Sequence, residues 1–296
     1  MKAILLKRAG RAKGLVLTEV PIPIPGQTEV LIRIHATTVT RGDVVLRKLP
    51  KLLTRLVGET PKSTLGHEFA GVVTAVGAMV DRFEVGNRVF GTTTGLTHGA
   101  YSEYLCAPQD GILATIPSGI TFEDAAPVPV GAMAALHFLR EGGVVSDKRV
   151  LINGASGSVG SFAVQIAKQL GAHVTGVSST SNVELVESLG ADEVIDYTKQ
   201  DFTEGSQRYD VIFDAVGKTS PKRTRSVLAE HGMFVTTQKL RQERLDDLLA
   251  VRDLVAAGVV KAVIDRYYTL EQIPEAHQYV EQGHKRGNVV ILVSGR

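Results

Sequence analysis

The sequence predicts an α/β protein in two parts: a compact β domain of antiparallel strands, then a doubly wound parallel sheet. Three observations carry this. Up to about residue 120, short β-branched runs are separated by Gly, Pro and Asp. From about residue 121, strand-like and helix-like runs alternate, the rhythm of βαβ units. At the first strand-to-helix change stands NGASGSVGS, residues 153–161, made almost entirely of small side chains. With 296 residues the chain is long enough for two domains and a substantial core.

In the first part, EVLIRIHATTV (29–39), FAGVVTAVG (69–77), NRVFGTT (87–93) and YSEYLCAP (101–108) read as strands. In the second, RVLINGA (149–155) is a buried strand and SVGSFAVQIAKQLG (158–171) a helix ending at Gly171. HVTGVS (173–178) is a strand, SNVELVESLG (181–190) a helix, and EVIDY (193–197), DVIFDAVG (210–217) and GMFVTT (232–237) are strands. The stretch from Lys261 to Val293 gives strand, helix, strand, with Thr269 and Gln272 spaced as a capping box. Residues 44–63 are basic and partly amphipathic. Pro50 breaks any long helix there, and a loop beside an active site is the expectation, with membrane-surface contact as the alternative.

Composition excludes several classes. A net charge of +2 gives no electrostatic case for nucleic acid. A single cysteine, Cys106, rules out an internal disulfide and suits a reducing compartment. MKAILLKRAG is too short in apolar residues for a signal h-region, and no run approaches the roughly 18 apolar residues of a membrane helix. A cytoplasmic protein without nucleic-acid or membrane partners is expected.

The small-residue run has a phosphate-binding pattern. Ala155, Gly157 and Gly160 occupy the G-x-G-x-x-G positions, with alanine for the first glycine, between a strand and a helix as in a Rossmann unit. Gly157 lets backbone N–H groups close on a pyrophosphate that the helix N-terminus favours, and Gly160 lets helix and sheet approach. Ala155, Ser156, Gly157, Ser158, Val159 and Gly160 are therefore the first cofactor-binding candidates. An NAD-specific site places Asp or Glu at the end of the second strand. Here stand Ser178, Ser179, Thr180, Ser181 and Asn182, hydroxyls able to donate to a 2′-phosphate, so NADPH is the expected cofactor. Ser181 and Glu184 also have capping-box spacing, and both roles fit one helix end.

VLIRIHATTVTRGD, LGHEFAGVVTAVG, VGNRVFGTT, GAYSEYLCAP, AAPVPVGAMAALHFL, the glycine-loop segment, YDVIFDAVG and GHKRGNVVI follow one another along nearly the whole chain. Together they resemble the medium-chain dehydrogenase/reductase family, in its zinc-independent quinone oxidoreductase branch. The resemblance implies a GroES-like catalytic domain formed by both chain ends (1–121 and 265–296), a Rossmann domain (122–264), and NADPH between them. It implies hydride transfer to an enone or quinone, with Thr40, His67 and Tyr101 as candidate donors toward developing enolate charge. For Tyr101 and Tyr104, packing at alternating strand positions is the competing role. It also points to Tyr197, Val216, Gly217 and Asn288 as cofactor contacts, and to a wall from VPVG to Ala134, where many relatives carry a hydroxyl. In zinc-dependent relatives the ligand positions correspond to Thr40, His67 and the vicinity of Gly131; one histidine is no tetrahedral site, and no metal is expected.

The chain departs from the family after MFVTT. Only QKLRQER (238–244) precedes the next matching segment, so the Rossmann part is shortened near residues 237–245 by roughly a helix and a strand. The missing strand commonly joins two subunits, so a monomer, or a dimer built on another surface, is expected. A cofactor-binding protein without turnover is the alternative function, and a zinc-type alcohol dehydrogenase a further one.

Overall fold

The computed structural model describes residues 1–49, 64–93, 99–239 and 241–293. The 44–63 stretch lies outside the described residues from Pro50 onward. Before that point its start belongs to a helix, Arg41–Lys48, which ends ahead of Pro50. Strands in chain order are β1 (Lys2–Leu6), β2 (Leu15–Glu19), β3 (Glu29–Thr38), β4 (Glu68–Val76), β5 (Arg88–Thr92), β6 (Tyr104–Pro108) and β7 (Leu113–Thr115). Then come β8 (Arg149–Asn153), β9 (His173–Ser178), β10 (Glu193–Asp196), β11 (Tyr209–Asp214) and β12 (Leu228–Thr236), and finally β13 (Ile264–Thr269) and β14 (Asn288–Leu292).

The chain divides into two compact units: Met1–Val130 with Glu243–Arg252 and Ile264–Arg296, and Gly131–Gln242 with Asp253–Val263. These borders differ from those read in the sequence. Residues 122–130 and 243–252 cluster with the antiparallel unit, because the changeovers fall inside the helices Val128–Glu141 and Leu245–Ala256.

The first unit carries a sheet in the order β13-β14-β3-β4-β5-β7, with β6 also on β3, and a separate β1-β2 hairpin. β3 is its spine. Val30, Ile32, Ile34 and Ala36 alternate into the core, the period-two pattern of a half-buried strand. β13 and β14 are parallel and joined through the helix Ile273–Glu281. The expected cap before that helix forms, with Gln272 Oε1 accepting from the Thr269 N–H at 3.0 Å.

The second unit is a parallel sheet in the order β10-β9-β8-β11-β12. β8, β9 and β11 are buried along nearly their whole length, as strands covered on both faces must be. Strand order reverses at β8 and β11, whose carboxyl ends are where ligands of such sheets bind. The helix Ser158–Gln169 follows β8 and stops at Gly171, whose φ of 80° satisfies the left-handed cap. Among the described residues nothing pairs beyond β12, and Met233 on that edge is 47% exposed.

Candidate functional site

The parallel unit holds a backbone cradle. After β8, the Gly154 and Ala155 N–H groups bond to Val177 O at 3.1 and 3.0 Å, pinning the loop to β9. Gly154 has φ of 81°, and a Cβ there would lie 2.1 Å from the Val216 side chain. The helix starts at Gly157 with no side-chain cap, so its first-turn N–H groups face outward with the positive end of the helix dipole. A Cβ on Gly160 would come within 2.1 Å of Gly154 O, whereas one on Gly157 would meet nothing nearer than 3.3 Å. The two glycines therefore have different duties: Gly160 permits the fold of the loop, and Gly157 leaves space beside it.

Asn182 ties this loop to the end of β9, donating to Ser156 Oγ at 3.2 Å and Ser179 Oγ at 3.1 Å. Its Oδ1 is buried without a partner. The hydroxyls expected to receive a 2′-phosphate are less free than the sequence suggests. Ser178 is buried and bonds to Ser179 O; Ser179 and Ser181 hydroxyls pair at 3.2 Å. Thr180 donates to Asp196 Oδ2 at 2.5 Å, and Thr198 donates to the same carboxylate at 2.7 Å. These hydroxyls hold the Asp196 carboxyl well below the usual range. Lys199 faces Asp196 at 3.3 Å and is the cation that the sequence reading missed. The Ser181–Glu184 capping box does not form. A 3-10 turn over Thr180–Asn182 moves the helix start to Val183, which takes Ser181 out of the N-cap position.

Tyr197 follows β10, with its N–H on Ser178 O and its ring 57% exposed. Val216 and Gly217 stand at the end of β11, held by a residue the sequence reading passed over. Asp214 is fully buried; its Oδ1 accepts from the Val216 and Gly217 N–H groups and from Asn153 Nδ2, and its Oδ2 from the Thr219 N–H. An aspartate two residues before V-G at a strand end was the available signal, since Asp bonds backbone a few residues ahead. Asn288 lies in the other unit, buried at the start of β14. Ala134 is buried in the helix Val128–Glu141.

In the antiparallel unit the three candidate donors have unequal standing. Thr40 is the N-cap of the helix Arg41–Lys48; its hydroxyl donates to Asp43 Oδ2 at 2.6 Å and accepts from the Asp43 N–H at 3.2 Å. Its one proton is committed to a carboxylate. Tyr101 precedes β6 rather than alternating along it with Tyr104, is fully buried, and has its hydroxyl 3.1 Å from His277 Nε2. It belongs to the core with Ile4, Leu6 and Leu270, which corrects its assignment to substrate. Burial pushes the Tyr101 hydroxyl well up and His277 down to about 4, so this pair is neutral at physiological pH. His67 keeps 26% of its side chain exposed and faces Glu243 at 3.7 Å. Cys106 is half-buried in β6.

Glu68 follows His67 and begins β4, fully buried. It accepts from Thr38 Oγ1 at 2.5 Å and from the Val130 N–H at 2.9 Å, yet burial pushes it up to about 7. A carboxyl that binds its proton more tightly when folded makes stability fall as pH rises from its ordinary 4.5 toward 7. Glu68→Gln is expected to flatten that decline; urea unfolding at pH 5 and pH 8 measures it, and an unchanged difference between the two would count against the assignment.

Among the described residues, those at the zinc-ligand positions of zinc-dependent relatives do not fit a catalytic zinc. Thr40 is engaged as a helix cap, and Gly131 has no donor and no room for one, a Cβ lying 2.8 Å from the Phe162 ring. Among the described residues no three His, Cys, Asp or Glu side chains come together to hold a metal. No described helix is long and apolar enough to cross a membrane.

Comparison with known proteins agrees with both halves. Residues 26–118 match the alcohol dehydrogenase GroES-like domain, and residues 158–281 match the zinc-binding dehydrogenase domain. The chain is 32% identical to the mouse NAD(P)H oxidoreductase RTN4IP1, mitochondrial, over 99% of this chain and 89% of that protein. It is 30% identical to the tomato 2-methylene-furan-3-one reductase, over 93% and 74% of the two chains. A solved quinone oxidoreductase from Coxiella burnetii superposes with a TM-score of 0.87 at 27% identity, covering 99% of each chain.

Proposed function

The chain belongs to the medium-chain dehydrogenase/reductase superfamily, in its quinone oxidoreductase-like branch, and from that premise we propose that it is an NADPH-dependent reductase of enones or quinones that works without zinc. Its relatives make it an oxidoreductase that uses a nicotinamide cofactor on a small molecule. The finer reading is carried by the uncapped helix start at Gly157, set where the parallel sheet reverses its strand order.

The cofactor supplies a hydride; the protein supplies position and charge. Ala155 to Gly160 would take the pyrophosphate on backbone N–H groups. Ser156, Ser178, Ser179, Ser181, Asn182 and Tyr197 would surround the adenosine end, with Val216 and Gly217 at the end of β11. Lys199 supports a 2′-phosphate because it is the cation beside Thr180 and Asp196. Residues 1–121 and 265–296, the greater part of the antiparallel unit, are proposed as the catalytic domain, and 122–264 as the NADPH-binding domain. Of the candidate donors, His67 is proposed to meet the substrate; Thr40 is the helix cap bonded to Asp43, and Tyr101 is core. The protein is proposed to work in the cytoplasm, as a monomer or as a dimer that does not use the β12 edge. A light-scattering mass of two chains joined through that edge would refute this last point.

Cofactor oxidation with cyclohexenone and with a naphthoquinone, in the presence of chelator, tests the reading. Turnover with NADPH is expected, at about tenfold lower Kd than NADH, the scale of one charge-assisted hydrogen bond. Lys199→Ala is expected to erase that preference. Activity lost to chelator and restored by zinc would overturn the zinc-free reading, and saturable NADPH binding without turnover on any acceptor would mark a binding protein instead.

A further inference from the structure

We propose that His67 and Glu243 form a proton-delivering pair, in which His67 protonates the reduced substrate and Glu243, anchored by Thr92, orients and charges it. This rests on the reading of the chain as an enone or quinone reductase.

Glu243 comes from the shortened connection after β12: only QKLRQER separates that strand region from the helix Leu245–Ala256, and its glutamate joins the antiparallel unit. Both carboxylate oxygens are engaged. Oε2 accepts from the hydroxyl of Thr92 at 2.7 Å, at the buried end of β5, and Oε1 faces His67 Nε2 at 3.7 Å. The glutamate side chain is only 12% exposed, so it cannot swing away to water without breaking the Thr92 bond.

The charges around His67 all favour its cationic form. Glu243 faces it directly; Asp43 comes from the helix Arg41–Lys48 and Glu68 from β4. Lys285, ahead of β14, interacts electrostatically with Glu68 and Asp265 and donates to Gly287 O. Burial alone would lower the imidazole, yet the Glu243 carboxylate, with Asp43 and Glu68, holds it above the ordinary 6.5. A partly exposed histidine faced by an anchored carboxylate that favours its cationic form is suited to general acid catalysis. Hydride arrives at the β-carbon of an enone with two electrons, from the reduced nicotinamide dinucleotide. The C=C pair moves to give an enolate, an imidazolium N–H breaks, and a C–H or O–H forms on the substrate. His67 is then neutral and regains its proton from water. For a quinone the same proton ends on the hydroquinone oxygen.

The test is proton NMR titration of the histidines in the full chain, with His67→Gln to assign the signal, alongside kcat/KM against pH. His67 is expected to titrate above 6.5. Glu243→Gln is expected to lower that value and to move the alkaline fall of kcat/KM down with it; Glu243→Asp restores part of both, and Thr92→Val gives a smaller shift of the same sign. His67→Gln is expected to cut kcat about a hundredfold, the scale of general acid catalysis, and to abolish the alkaline limb. A His67 that titrates at or below 6.5, or that Glu243→Gln leaves unmoved, overturns the pair. If the wild type turns over while His67→Gln keeps its rate and profile, the pair fails and the reductase reading stands. If no acceptor is reduced at all, the reductase reading fails and proton delivery fails with it, whatever the titration shows.

Discussion

Gly160→Ala is expected to destabilise the protein by about 2–3 kcal/mol and to weaken dinucleotide binding at least about tenfold, whereas Gly157→Ala should lower only the affinity. The difference follows from what each new methyl would meet. At Gly160 it would lie 2.1 Å from Gly154 O, 2.8 Å from Gly154 C and 2.9 Å from Ala155 Cα. All three are backbone atoms of a loop already bonded to Val177, so nothing flexible can give way. The helix must retreat from β8 or the loop must rebuild, and either change displaces the first-turn N–H groups. At Gly157 the nearest atom is Gly154 O at 3.3 Å, and φ of −80° suits an ordinary residue. Fold stability there should change by less than about 0.5 kcal/mol. The methyl would instead occupy the space through which a pyrophosphate reaches the backbone. Urea unfolding of the two variants, paired with titration by NADPH, separates the roles. Equal stability for both, or full affinity in Gly160→Ala, would show that the loop is more adaptable than its contacts imply.

The same loop shows what the sequence reveals and why. Close approach leaves a trace in composition, because only small residues permit it; NGASGSVGS was legible for that reason, and so were the buried strands β8, β9 and β11 with their unbroken apolar runs. The hydroxyl-rich turn was legible as a list of residues but not as a network. The sequence shows Ser178 to Asn182 in a row; it does not show that Ser178 is buried, that Thr180 is spent on Asp196, or that Lys199 stands beside them. Those are tertiary facts, set by how β9 and β10 align. Tyr101 is buried, as the packing alternative has it, but it stands ahead of a strand that begins at Tyr104 rather than alternating along it. Glu243 was least legible of all. Its carboxylate meets His67 across 176 residues of sequence separation, and no local pattern marks such a pair. The shortened connection was visible as a missing length, but not where its remaining residues lie.

Asp214→Ala is the substitution expected to cost most, about 3–5 kcal/mol, and to remove dinucleotide binding from the protein that remains folded. The carboxylate is fully buried at the end of β11, and it takes four donors: the N–H groups of Val216, Gly217 and Thr219, and the Asn153 amide. Hydrogen bonds to a charged acceptor are worth about 1.5–3 kcal/mol each, and they do not simply add, since the loop moves as one piece. Alanine removes the acceptor that these four donors share, three of them main-chain groups of the turn after the strand. Asn153 ends β8, so the same carboxylate also sets the spacing between the two strands at the point where their order reverses. Loss of that spacing reaches Gly154 directly, because Val216 packs where a Gly154 side chain would be. Asp214→Asn keeps the shape and one accepting oxygen but turns an N–H toward the Thr219 N–H; about half the loss of alanine is expected, with weakened rather than absent binding. Hydrogen exchange at the amides of 216, 217 and 219 gives an independent reading, with protection falling together in both variants. An alanine variant within about 1 kcal/mol of wild type, with those amides still protected, would mean that water replaces the carboxylate and that this aspartate does not hold the cradle in place.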